Sequence, residues 1–155
     1  MEKHGLIGAR NIKTGLALLA LSLVGGLAMS LYAFVPMVKV PEGLIRYDDL
    51  PRRLFRLAHV AAVMLPLLNV VCGLVLDRLR LSVGAKEVTS VLLLAGAVGL
   101  PLALVAQGLS VQAREWHVAG PPAVAMTLGA ILMAVGALRT RAADLISCGV
   151  RPPVT

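Results

Sequence analysis

Charged side chains are scarce in this sequence and are absent from four long stretches of it. Lys, Arg, Asp and Glu make up 15% of the 155 residues, whereas about a quarter is usual in soluble domains. The stretches without any of these residue types are Thr14 to Val38, Leu57 to Leu76, Val88 to Ala113 and Trp116 to Leu138. Each can cross the hydrocarbon core of a bilayer, which takes roughly 20 residues of α-helix. The pattern excludes a separate soluble domain and predicts a membrane protein.

Aromatic residues and cysteines are also few, which excludes several kinds of chemistry. Phe, Trp and Tyr make up 3% of the chain, so the net charge of +7 is not accompanied by aromatic platforms for nucleic acid. The two cysteines, Cys72 and Cys148, form no CxxC or CxxCH motif, which excludes a c-type haem. No glycine-rich nucleotide loop and no plausible Ser-His-Asp set is present. The lack of a self-contained catalytic motif leaves an enzyme open but favours a non-enzymatic role.

The four apolar stretches predict an all-α fold. Backbone groups inside lipid must form hydrogen bonds within their own segment, so each span must be a helix. The predicted spans are residues 14–37, 53–77, 88–109 and 118–138, with an outer loop at 38–52 and a cytoplasmic tail at 139–155. Because most connections are short, we expect one domain that is an up-down four-helix bundle.

Lysines and arginines predict the orientation of the helices. If the N-terminus is inside, nine of them fall on cytoplasmic segments: Lys3, Arg10, Lys13, Arg78, Arg80, Lys86, Arg139, Arg141 and Arg151. Six fall on outer segments: Lys39, Arg46, Arg52, Arg53, Arg56 and Arg114. Positive residues favour the cytoplasmic side. We therefore predict that both termini are cytoplasmic and that the protein lies in a bacterial inner membrane.

One side of the second span is predicted to face other helices. At about 100° per residue, the small and polar residues on that side are His59, Pro66, Val70, Gly73 and Asp77. Small residues let helices approach closely. Asn69 lies about 80° away on the same arithmetic. We interpret Asn69, and Gln107 in the third span, as polar residues that join helices, although an amide at membrane depth can also mark a functional site.

Two histidines are predicted at the outer ends of different helices. His59 lies about one turn into the second span, and His117 precedes the fourth span. Two imidazoles on facing helices can ligate a haem iron. Arg52, Arg53 and Arg56 precede His59 and would meet the haem propionates. We therefore predict one haem b with both histidines as iron ligands and the three arginines as further cofactor-binding residues.

The same residues have simpler interpretations, in which no cofactor is bound. His59 can instead form a hydrogen bond with a neighbouring helix, and the arginines can anchor a helix end at the membrane surface. His117 follows Trp116, and this pair is typical of an interfacial anchor. A copper or other metal site made from the histidines and methionines is a further alternative.

Three segments of the chain resemble a group of small bacterial membrane proteins with four spans. They are "RYDDLPRRLFRLAHVAAVMLPLLNVVCGL", "GAVGLPLALVAQGL" and "EWHVAGPP". In that group a PRRLxRLxH segment leads a span that bears an asparagine, and a later histidine precedes a proline. The matching positions are Pro51, Arg52, Arg53, Arg56, His59, Asn69, Pro101, His117 and Pro121. The resemblance runs from about Tyr47 to Pro122, and it carries no activity or cofactor with it.

These features favour a small redox-associated membrane subunit that holds haem b and transfers electrons within a larger complex. The first alternative is a structural or assembly subunit without a cofactor. The second is a small-molecule channel or carrier, against which the uncharged span centres argue. The expected partners are the lipid bilayer and either other membrane subunits or further copies of the chain, but not nucleic acid.

Overall fold

The computed structural model of the chain describes residues 7–34 and 48–141, which form five helices. These are α1 (Ile7–Phe34), α2 (Leu50–Leu76), α3 (Val83–Leu109), α4 (Val111–Glu115) and α5 (Gly120–Arg139). All except the short α4 are long and apolar enough to cross a membrane. The prediction of an all-α membrane bundle with four long helices is confirmed for the described part of the chain.

The long helices extend beyond the uncharged stretches because their end turns accommodate charged and capping residues. α1 begins at Ile7, so Arg10 is already helical. Pro51 lies in the first turn of α2, where its missing N–H removes no helical hydrogen bond. Ser82 caps α3, and its hydroxyl accepts a hydrogen bond from the N–H of Ala85.

α1 and α2 pack against each other in antiparallel directions along a line of small residues. A Cβ atom on Gly8 would lie 2.1 Å from the carbonyl oxygen of Gly73, and one on Gly15 would lie 2.7 Å from that of Pro66. Further along α1, the hydroxyl of Ser22 donates a hydrogen bond to a backbone oxygen of α2. Gly8, Gly15 and Ser22 follow each other at intervals of seven residues. That spacing keeps one side of a helix against its partner.

α3 is the central helix, because it contacts α1, α2, α4 and α5. The ring of Phe55 on α2 packs against Gly108, near the end of α3. On another side of α3, a Cβ atom on Gly96 would lie 2.6 Å from the Cβ atom of Met126 on α5. Leu93 is fully buried and packs in one core cluster with Met126. The chain thus runs up and down through its four long helices, as predicted.

A buried network of polar side chains joins the first three helices. The side-chain amide of Asn11 on α1 donates to the amide oxygen of Asn69 on α2 at 2.8 Å. Asn69 in turn donates to the carbonyl oxygen of Leu93 on α3 at 3.1 Å. The hydroxyl of Ser90 on α3 donates to the amide oxygen of Asn11 and accepts from Arg10 at 2.9 Å. Asn11, Asn69 and Ser90 are fully buried, so these bonds satisfy groups that would be costly if unpaired.

Candidate functional site

A groove of about 410 Å³ lies between α1, α2 and α3. Its walls are apolar apart from the side chains of His59 and Ser22. Leu21 on α1 and Leu102 on α3 line it and are 68% and 63% exposed. The groove is therefore partly open between these two helices, on a surface that would face hydrocarbon in a membrane.

His59 is the ionisable side chain of this groove. Its half-buried imidazole lies against the backbone of α1, where a Cβ atom on Gly26 would be 2.6 Å from Cε1 and 2.9 Å from Nε2. No described residue forms a hydrogen bond with the ring. The capacity of the ring nitrogens to bind a proton, a metal ion or a ligand is therefore not used within the described part of the bundle.

Ser22, the other polar residue of the groove, has its proton committed to the backbone. Its hydroxyl donates to the carbonyl oxygen of Leu18, 2.7 Å away on its own helix, and to that of Ala62 on α2. A hydroxyl has a single proton, so the two carbonyl oxygens share it. Ser22 can accept a hydrogen bond from a ligand, but it joins two helices rather than offering a donor.

His117 does not line the groove with His59. It is exposed in the turn between α4 and α5, with a backbone φ of 49°. Its N–H donates to the carbonyl oxygen of Arg114 at 3.1 Å, and its own carbonyl oxygen accepts from the N–H of Gly120 at 2.8 Å. Through these backbone hydrogen bonds, His117 helps to fix the conformation of the turn.

The three predicted arginines lie in the first two turns of α2, before His59, and none of them lines the groove. Arg53 forms an ion pair with Asp48 at 3.2 Å. Both side chains are mostly exposed, and such surface pairs contribute about 0–1 kcal/mol to stability. Arg52 and Arg56 are partly buried.

The two amides that were predicted to join helices also lie outside the groove lining. Asn69 belongs to the buried network, where it connects α2 to α1 and α3. Gln107 is half-buried in the last turn of α3. Asn11, the partner of Asn69, is not among the residues predicted from the sequence, because it follows Arg10 in what reads as a charged flank. Its position three residues after Gly8 in the seven-residue repeat of α1 is the signal that points to it.

The helices, the groove and both histidines fall within one family match. The sequence profile of the styrene oxide isomerase family matches residues 7–147, which is most of the chain. The chain belongs to the styrene oxide isomerase family. No curated protein and no solved structure matches it. The resemblance to a family of multi-pass membrane proteins is thereby confirmed, whereas the match does not test the PRRLxRLxH motif.

Membership of the styrene oxide isomerase family corrects the leading functional prediction. We expected a haem-binding electron-transfer subunit with the cofactor between His59 and His117, and this is wrong, because the family is one of enzymes that isomerise their substrate. An isomerisation leaves the atoms and electrons of the substrate unchanged in number, so no electron transfer to a partner is needed. The sequence pointed to haem because two histidines at helix ends are typical of haem-binding bundles. An apolar groove, by contrast, has no recognisable catalytic motif in the sequence, so nothing there pointed to an enzyme.

Proposed function

We propose that this chain isomerises a small aryl epoxide of the styrene oxide class in the groove at His59. The family match supports the reaction type. The observation that carries the location is the imidazole itself, which lines the groove with no hydrogen bond to any described residue.

The groove suits a compact apolar substrate. Its volume of about 410 Å³ lies within the range of roughly 300–1,000 Å³ that is usual for small-molecule sites. Its walls carry aliphatic side chains and the ring of Phe55, which can pack against an aryl group. Such walls bind the aryl ring by burying its apolar surface. The epoxide oxygen is then the one group of the substrate that needs a polar partner.

The proposed reaction breaks the bond between the epoxide oxygen and the carbon that bears the aryl ring. The bonding electron pair leaves with the oxygen, so the ring-bearing carbon becomes electron-poor. A hydride then moves to it from the neighbouring carbon, and an electron pair of the oxygen forms the carbonyl bond of an aldehyde. Substrate and product have the same atoms, and no oxidant, reductant or water is consumed. An acid at the epoxide oxygen promotes the first bond cleavage.

The apolar walls also protect this reaction from water. A water molecule near the electron-poor carbon would add to it and give a diol instead of the aldehyde. Ala58, Ala62, Pro66 and Ala97 line the groove with groups that offer no side-chain hydrogen bond to water. Exclusion of water from a site suppresses such side reactions, and it therefore favours isomerisation over hydrolysis.

The acid at His59 has two candidate forms. One is the protonated imidazole, which would donate its proton to the epoxide oxygen and take it back as the carbonyl bond of the aldehyde forms. The other is haem b bound at this histidine, since no described residue forms a hydrogen bond with its ring nitrogens and Ala58 and Ala62 beside it are small. If His59 holds a haem, its iron would supply the Lewis acid that promotes cleavage at the epoxide oxygen.

The proposed function is tested with the purified protein in lipid nanodiscs and styrene oxide as substrate. We expect proton NMR to show an aldehyde accumulating as the epoxide disappears. His59→Ala should abolish the conversion, and His117→Ala should retain it. Visible spectra before and after dithionite tell the two acids apart, because a haem has a Soret band and an imidazolium has none. A folded wild-type protein that produces no aldehyde would contradict the proposal.

We further propose that the protein lies in a bacterial inner membrane with both termini in the cytoplasm, and that it assembles with itself or with other membrane subunits. The distribution of lysines and arginines supports the orientation. A fluorescent protein fused to the C-terminus should be fluorescent, whereas a periplasmic phosphatase fused there should be inactive. Native mass spectrometry from nanodiscs should show more than one subunit, and a fully active monomer would argue against assembly.

A further inference from the structure

The α1 wall of the groove has a gap at Gly25. The α1 residues that line the groove are Leu18, Leu21, Ser22, Gly25 and Met29. Of these, Gly25 is the one without a side chain, and a Cβ atom built on it would meet nothing within 4 Å. Within residues 7–34 and 48–141, therefore, no neighbouring group replaces the missing side chain, and the space in front of Gly25 is open.

This gap lies at the level of the imidazole. With a rise of about 1.5 Å per residue, Gly25 is roughly 6 Å along the helix from both Leu21 and Met29. The next residue, Gly26, is the one against which the ring of His59 packs. The open space is thus next to the group that we place at the epoxide oxygen, where the rest of a bound substrate has to fit.

The two adjacent glycines make different demands on a side chain. At Gly26 a Cβ atom would lie 2.6 Å from Cε1 of His59, so any side chain there has to displace the ring. At Gly25 a Cβ atom would have no atom of the described residues within 4 Å. A substitution at Gly25 therefore changes the volume of the groove without a direct push on the histidine.

We propose that Gly25 sets the size of the aryl group that the enzyme accepts. This inference rests on the proposed function with the protonated imidazole of His59 as the acid, since it assigns the open space beside the ring to the aryl group and its substituents. A side chain at position 25 would occupy that space. Larger aryl epoxides would then be excluded first, and styrene oxide itself would be affected least.

The test compares Gly25→Ala and Gly25→Leu on styrene oxide and on its para-methyl and para-tert-butyl derivatives. Gly84 provides the matched control, because it is also helical and exposed with nothing within 4 Å of a built Cβ atom, but does not line the groove. We expect Gly25→Leu to lower kcat/KM for the largest accepted derivative about tenfold more than for styrene oxide, which is a typical steric discrimination. Gly25→Ala should give a smaller change in the same direction, and Gly84→Leu should leave the ratio between substrates unchanged.

The outcomes separate this inference from the proposed function. If the Gly25 variants are active and their kcat/KM changes by the same factor on all three substrates, Gly25 does not set the size of the accepted aryl group. A wild-type protein that is inactive on all three epoxides would contradict the proposed function instead. If Gly25→Leu does not fold, as judged by its thermal unfolding, the single methyl group of Gly25→Ala carries the comparison.

Discussion

The imidazole of His59 on α2 packs directly on the backbone of α1 at Gly26, where a Cβ atom would lie 2.6 Å from Cε1. Real Cβ atoms do not approach other atoms this closely, so the ring and a side chain at position 26 exclude each other. The imidazole of His59 can therefore lie in this position only because residue 26 of α1 is a glycine and has no side chain.

Gly26→Ala should lower the isomerase activity by displacing the imidazole. A misplacement of about 1 Å at a reacting group can cost about a hundredfold in rate, so we expect kcat to fall between about tenfold and a hundredfold. The measurement is the rate of aldehyde formation from styrene oxide at saturating substrate. Gly84→Ala is the control, since its added methyl group meets nothing within 4 Å. Equal rates for both variants would show that the contact of His59 with α1 at Gly26 is not needed for the reaction.

Asn69→Leu should destabilise the bundle. The substitution removes the hydrogen bonds to Asn11 and to the carbonyl oxygen of Leu93, and it leaves the buried amide of Asn11 without its acceptor. Loss of a partner for a buried polar group costs about 1–3 kcal/mol, and we expect a decrease of that size in the free energy of unfolding. Steric-trapping measurements in bicelles give this quantity.

The control for the amide network is a hydroxyl that forms its hydrogen bond within one helix. Thr127 is exposed and donates to the carbonyl oxygen of Ala123 on the same helix. Thr127→Val should therefore change the free energy of unfolding much less than Asn69→Leu. The double variant Asn11→Leu, Asn69→Leu should lose less than the sum of the two single variants, because neither amide is then left alone. Strict additivity would show that the two residues do not act as a pair.

The helix faces could be predicted from the sequence because they depend on local periodicity. The side of α2 that was assigned to helix packing includes Pro66 and Gly73, and both contact the glycines of α1. The contact between His59 and Gly26 could not be predicted, because it depends on how far α1 is rotated and shifted against α2. The network of Asn11 and Ser90 depends on the same tertiary parameters.

The candidate site was harder to predict than the fold for a chemical reason. A water-excluding groove is made of Leu, Val, Ala and Gly, the same residue types that make up a membrane span. His59 was identified because an imidazole is rare there, but its partner was sought in a second histidine. The structure instead surrounds it with apolar walls and helix backbone. The sequence therefore indicated one residue of the site and not the kind of chemistry that surrounds it.

Gly73→Ala should weaken the packing of α1 on α2. Its Cβ atom would lie 2.6 Å from the carbonyl oxygen of Gly8, and backbone atoms cannot move away as easily as the end of a side chain. Overpacking of this kind typically costs about 1–3 kcal/mol, so a lower thermal unfolding midpoint is expected. Gly120→Ala adds the same methyl group on α5, where nothing lies within 4 Å, and should leave the midpoint nearly unchanged. Similar midpoints for the two variants would argue against a tight α1–α2 contact.

His117 is predicted to matter for its backbone conformation rather than for its imidazole. Its φ of 49° lies in the left-handed region, which costs an ordinary L-residue about 1–2 kcal/mol and costs glycine little. His117→Gly should thus match or exceed the wild-type unfolding midpoint and retain isomerase activity, whereas the β-branched side chain of His117→Val should lower the midpoint. Loss of isomerase activity in both His117 variants, as is expected for His59→Gly, would contradict this prediction. Thermal unfolding and the rate of aldehyde formation, measured on His117→Gly, His117→Val and His59→Gly, therefore separate a residue needed for its backbone conformation from one needed for its imidazole.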